Sequence, residues 1–158
     1  MLVFETPPLK SDVVIAGPVT VDLYISSSAP DTDFTAKLID QFPPNKDYPW
    51  GYAMNLEDRI IRVSSSPDPA KRNLLKTGEV REVTIDLMGV ANRFLKGHRI
   101  RLDISSSNFP FFAVNLNTGE RPGYETHMVV AGNTVYHDRE HPSHINLPLL
   151  PLSALGSH

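Results

Sequence analysis

Three imidazoles and two carboxylates fall within the eight residues His137-Asp138-Arg139-Glu140-His141-Pro142-Ser143-His144, the one local cluster whose residue types could hold a metal ion. Hydrolytic zinc motifs work because a helix sets histidines at i and i+4 on one face, as in H-E-x-x-H. Pro142 follows the second histidine directly and biases His141 away from helical geometry, so the segment reads as a turn between two edge strands. His137 and Asp138 could join a catalytic triad only with a nucleophile from elsewhere. Serines occur in runs at Ser26-Ser27-Ser28, Ser64-Ser65-Ser66 and Ser105-Ser106-Ser107. None has the flanking glycines of a G-x-S-x-G nucleophile elbow, so local side-chain-to-backbone hydrogen bonds are their expected role. Asp31-Thr32-Asp33 opens like a calcium loop, but Thr35 and Ala36 stand where a ligand and the glycine belong; turn capping is expected there instead. The glycines are dispersed, and none forms a phosphate-cradling G-x-G-x-x-G. The sequence therefore offers no catalytic residue, no cofactor site and no metal site.

Two aromatic segments remain. Asp47-Tyr48-Pro49-Trp50-Gly51-Tyr52 places three aromatic rings in five residues on a loop, and Asn108-Phe109-Pro110-Phe111-Phe112 is a second. Such a loop either folds back on the protein or covers a partner surface, since Trp and Tyr are enriched at contact hot spots and pocket walls. Tyr48, Trp50, Tyr52, Phe109, Phe111 and Phe112 are thus the candidate interface or pocket-wall residues. Adjacent Phe111 and Phe112 must point to different sides, which leaves one of them exposed unless another domain covers it. In a carbohydrate-binding module Tyr48, Trp50 and Tyr52 would be a sugar-stacking platform.

The elements that position these loops are strands. Val19 to Ser26, Glu82 to Leu87 and Arg99 to Ser105 alternate apolar and polar residues with period two, so each predicts a strand with one wet face. Weaker candidates are Val13 to Ala16, Asp33 to Asp40, Asn55 to Val63, Thr126 to Val130, Thr134 to His137 and Ser143 to Leu147. Ala131-Gly132-Asn133-Thr134 predicts a hairpin turn. Only Met88 to Lys96, stopped by Gly97, has near-helical apolar spacing, and it predicts one short helix. Many short strands without crossover helices point to an all-β jelly-roll sandwich rather than a parallel α/β sheet.

Composition agrees. The 158 residues include 14 prolines, about 9% against a usual ~5%, which favours short segments joined by turns. No cysteine is present, which excludes disulfides, thiolate metal sites and a cysteine nucleophile. Fifteen basic against 18 acidic side chains give no basic excess for nucleic-acid binding. No apolar run reaches the ~18 residues of a membrane helix and no signal-peptide pattern opens the chain, so a soluble protein, cytoplasmic by preference, is expected.

Five separated segments resemble a known family, the C-terminal domain shared by X-Pro dipeptidyl-peptidases, bacterial cocaine-esterase-like hydrolases and α-amino-acid ester hydrolases. They are Phe4-Glu5-Thr6-Pro7-Pro8-Leu9 leading to Ala16-Gly17-Pro18-Val19; Asp31 to Asp40; Lys96-Gly97-His98-Arg99-Ile100-Arg101-Leu102 with Ile104 to Pro110; Asn115-Leu116-Asn117-Thr118-Gly119; and Asn133 to Asp138 with His141-Pro142-Ser143. The match runs from about Val3 to Leu149, leaving a tail over 150–158. The resemblance implies a single galactose-binding-like jelly roll over 1–158, without catalytic residues of its own. It also implies an α/β-hydrolase partner, in cis or as a separate chain, on which the domain packs and whose pocket it helps enclose. The partner's activity would be that of a dipeptidyl-peptidase or an ester or amide hydrolase. Homo-oligomerisation is a further expectation. The stretch from Phe42 to Asn55 is longer than usual, so Tyr48, Trp50 and Tyr52 match no family position.

Overall fold

In the computed structural model, which describes residues 1–151 and Ser153, the alternating segments pair into two antiparallel sheets. The strands are β1 (Leu2–Glu5), β2 (Val13–Ser27), β3 (Asp33–Phe42), β4 (Tyr52–Arg62), β5 (Arg81–Phe94), β6 (Arg99–Ser105), β7 (Asn133–Tyr136), β8 (His144–Asn146) and β9 (Leu149–Leu150). One sheet has the order β1-β6-β3-β4. In the other, β2 pairs with β5 along one edge, while β9, β8 and β7 share its other edge in succession. The expected all-β sandwich of jelly-roll type is what forms.

Period two decides what is inside. Val19, Val21, Leu23 and Ile25 of β2 face Val83, Ile85 and Leu87 of β5 and, across the interlayer space, Phe34, Ala36 and Leu38 of β3; all are buried. The intervening Thr20, Asp22 and Tyr24 are only half-buried, and Thr84 Oγ1 donates to Asp22 Oδ1 on the outer surface at 2.6 Å. Burying the Val, Ile, Leu and Phe side chains among these contributes roughly 1.5–3 kcal/mol each and is the main force holding the layers together.

Several expectations need correction. No helix forms over Met88 to Lys96, because β5 continues as strand through Phe94. At this point the register with β2 shifts, so that Val19 faces both Leu87 and Met88 across a bulge. Met88 takes φ +62°, and its N–H donates to Asp86 Oδ1 at 2.7 Å. The additional residue brings Leu87, Val90 and Phe94 to one side, which mimics helical spacing. Thr126 to Val130 is not a strand and no hairpin forms at 131–134, since Val129 bonds to the neighbouring loop instead, its N–H donating to the Leu116 carbonyl and its carbonyl accepting from Asn117 Nδ2. Gly132 instead caps the end of β2, accepting from the Ser28 N–H and donating to Ser28 Oγ. Val13 to Ala16 and Val19 to Ser26 are one strand, continuous through Gly17 (φ +139°) and Pro18. A Cβ at Gly17 would lie 3.3 Å from Pro148, whose carbonyl receives the Ala16 N–H. Strand β1 went unpredicted because Met1 to Phe4 is an apolar run without alternation. The expected tail over 150–158 lies, apart from Leu150, Pro151 and Ser153, outside the described residues.

Candidate functional site

The two aromatic loops lie at opposite ends of the sandwich. Strand β3 runs from Asp33 to Phe42, and the loop carrying Tyr48 and Trp50 follows its end. Antiparallel β6 sets Arg99 beside Gln41 and Ser105 beside Thr35, so the chain leaves β6 for Phe109 at the other end. The structure does not bring the six candidate residues together.

The first loop is a tight turn built on Asn45, whose Oδ1 accepts the N–H groups of Asp47 and Tyr48 at 2.9 Å. Gly51 closes it with φ +79°, and a Cβ there would sit 2.6 Å from the Phe42 carbonyl oxygen. This geometry sends Trp50 outward, 95% exposed. Tyr48 and Tyr52 instead stack on each other at 5.1 Å, and Tyr52 meets Phe42 edge-on. Phe42 in turn lies 4.2 Å from the ring of His98. Behind it, His98 Nδ1 and Asp40 Oδ1 are 2.8 Å apart in the interior, and Asn92 Nδ2 donates to the other carboxylate oxygen at 3.2 Å. The loop therefore half folds back through its tyrosines and leaves Trp50 free.

The second loop opens the segment 106–132, which has no regular secondary structure yet is pinned at several points. Asn108 Nδ2 donates to Asp58 and Asn115 Nδ2 to Asp33, both at 2.8 Å. Asn117 sits at φ +62°, a conformation asparagine tolerates, and donates from Nδ2 to the Val129 carbonyl. Gly119 (φ +72°) packs so closely that a Cβ would stand 3.0 Å from Pro30, while Arg72 donates to the Gly119 and Glu120 carbonyls at 2.8 Å. The spacing Asn115-x-Asn117-x-Gly119 is thus a set of anchors for this loop. What it presents is apolar: Phe109 is 72% exposed and Phe111 84%, joined by Tyr124, Met128 and Val130, while Phe112 turns half-buried, as alternation requires.

The polar clusters take local roles. Asp31 accepts from the Thr32 and Ser64 N–H groups and from Ser64 Oγ, the capping role expected of it. Asp33 receives Arg62 through two bonds. Serines 27, 28, 64 and 106 bond to backbone or neighbouring side chains at strand ends. The three clustered histidines diverge. The His141 ring meets Tyr24 edge-on and Tyr136 at a tilt, His144 Nδ1 lies 2.7 Å from the Pro142 carbonyl, and His137 meets Phe4 edge-on. Among the described residues no three His, Asp or Glu side chains converge on a point. Asp138 accepts the His141 and Glu140 N–H groups, which hold its carboxyl below the ordinary 3.8.

The family described as the X-Pro dipeptidyl-peptidase C-terminal non-catalytic domain matches residues 1–146. The chain belongs to that family. Cocaine esterase of Rhodococcus sp. (strain MB1 Bresler) is 42% identical over 152 residues, 95% of this chain and 25% of that protein. A crystal structure of an aminopeptidase from a marine sediment archaeon, Thaumarchaeota archaeon, superposes with a TM-score of 0.87 at 31% identity, covering 95% of this chain and 26% of the other. An α-amino acid ester hydrolase superposes at 0.85 with 30% identity, covering 94% and 25%. The chain thus spans about a quarter of the relatives it matches, and in them the non-catalytic domain is one part of a longer hydrolase. Among the described residues no helix is long and apolar enough to cross a membrane.

Sequence reading missed two features of this family member. The Asp40–His98 pair joins residues 58 apart, and the anchoring role of Asn115 was present only as a motif without a mechanism.

Proposed function

We propose that this domain packs on the catalytic domain of a serine hydrolase of α/β type through the end of the sandwich carrying Phe109 and Phe111, and there shapes the hydrolase pocket. The reaction served is cleavage of an ester, amide or X-Pro peptide bond. The observation that carries this reading is the 106–132 segment: it is pinned by the Asn108–Asp58 and Asn115–Asp33 bonds, yet Phe109 and Phe111 face outward. Rigid exposed aromatics of this kind cost little ordering entropy on docking and dominate contact energies. In this arrangement the domain supplies surface, and the nucleophile, base and oxyanion donors come from its partner.

A chimera tests this. This chain replaces the matched quarter of the 42%-identical cocaine esterase, and its melting temperature and ester hydrolysis are measured. Phe109→Ser with Phe111→Ser is expected to lower both, while Trp50→Ser leaves them unchanged. The reverse pattern, or no effect of the phenylalanine pair, overturns the docking end.

A second reading rests on Trp50. At 95% exposed on a turn held by Asn45 and Gly51, it is available as a sugar-stacking surface with Tyr48 and Tyr52 beside it. Quenching of Trp50 fluorescence by a saturable oligosaccharide supports that reading; no response across a glycan panel removes it.

A further inference from the structure

The sandwich is closed along β4 and β5 but stands open along its other side, where β1 and β6 of one sheet face β7 and β8 of the other. Between them lies a cleft of about 550 Å³, within the roughly 300–1,000 Å³ typical of small-molecule sites. Its floor is Leu23 and Ile104, each 2% exposed, and its walls are Ile100, Leu102, Val135 and Ile145. At its mouth Phe4 from the first sheet meets His137 from the second, ring centroids 6.1 Å apart.

We propose that this cleft binds a small, neutral, largely hydrocarbon molecule, either a single aromatic ring or a medium-length alkyl chain with at most one polar group. The polar residues at the rim are already engaged within the chain. Thr6 Oγ1 accepts the Ile100 N–H, Ser143 Oγ donates to the Tyr136 carbonyl and accepts from Tyr24 N–H, His144 Nδ1 faces the Pro142 carbonyl, and Glu5 pairs with Arg99. Among the described residues His137 alone at the rim has ring nitrogens without a hydrogen-bond partner, so one polar group of a ligand can be met there. An apolar recess of this kind is poorly hydrated, and filling it with hydrocarbon restores dispersion contacts that the lining otherwise lacks. Its volume and apolar lining suit a small molecule. The proposal stands independently of the docking reading.

The test uses the 158-residue chain and the neutral medium-chain alcohol 1-octanol, with binding followed by isothermal titration calorimetry. Saturable one-to-one binding is expected, weakened about tenfold or more by Leu102→Trp, which fills the recess, and retained by Phe109→Ser with Phe111→Ser. Methyl NMR of the unmodified chain guards against misfolding of the tryptophan variant: shifts on titration should concentrate at Leu23, Leu102, Ile104, Val135 and Ile145. Absence of saturable binding, loss of binding in the phenylalanine variant, or shifts confined to the neighbourhood of Trp50 or Phe109 overturns the proposal.

Discussion

Asp40→Ala probes the polar pair inside the sandwich. The Asp40 and His98 side chains are 2% and 8% exposed, with Nδ1 to Oδ1 at 2.8 Å, and Asp40 also accepts from Asn92 at 3.2 Å. Removing the carboxylate deletes both bonds and leaves an imidazole nitrogen without a partner in the interior and the half-buried Asn92 amide without one at its edge. A bond to a charged group contributes about 1.5–3 kcal/mol, and each stranded buried polar atom costs about 1–3 kcal/mol. We expect a loss of about 3 kcal/mol, which for a domain of this length corresponds to about 6–12 °C in melting temperature. Urea unfolding of the wild type, Asp40→Ala, His98→Ala and the double variant closes a cycle, and a coupling above about 1 kcal/mol is expected. A drop below about 2 °C for Asp40→Ala, or additive single effects, refutes the assignment of this pair as a structural bond joining β3 to the turn before β6.

Three further outcomes follow from particular residues. Met88 is a non-glycine residue at φ +62° with a half-exposed side chain. Met88→Gly relieves about 1–2 kcal/mol of steric cost and, after the entropy of glycine is set against it, should raise the urea midpoint slightly. Asn115→Ala removes the bond to Asp33 and the acceptor for the Asn117 N–H, so amide exchange should accelerate across 115–119 and at Val129 with only a modest fall in melting temperature. The Asp12 carboxyl is held below its ordinary 3.8, first by the Lys96 N–H and then by Arg93. A depressed folded value means its stabilisation is present above 3.8 and is lost as pH falls through the folded value, so Asp12→Asn should slightly lower stability at neutral pH, leave it nearly unchanged at acid pH, and so flatten the acid limb of a stability-versus-pH curve.

The parts of this fold legible in the sequence are those where one face is buried, because alternation then carries the signal. Val19 to Ile25 and Val83 to Leu87 are of this kind. What failed to show had a specific cause. At Met88 a bulge converted a strand's spacing into a helix's, and at Thr126 to Val130 β-prone residues are held by the loop at Leu116 and Asn117 rather than by a strand. Strand β1 has no alternation to read, since its residues line the rim of an open sandwich. For the candidate residues, composition located both aromatic loops but not their placement, which depends on strand direction and puts them at opposite ends. The buried Asp40–His98 pair and the open cleft are products of long-range pairing, and no local spacing encodes them.

The central claim is that this domain supplies surface rather than chemistry. Initial rates of the purified 158-residue chain on 4-nitrophenyl acetate and on Ala-Pro-4-nitroanilide test it most directly. No turnover above buffer is predicted for either substrate. Saturable turnover abolished by a single substitution, such as Ser107→Ala or His137→Ala, would contradict the account.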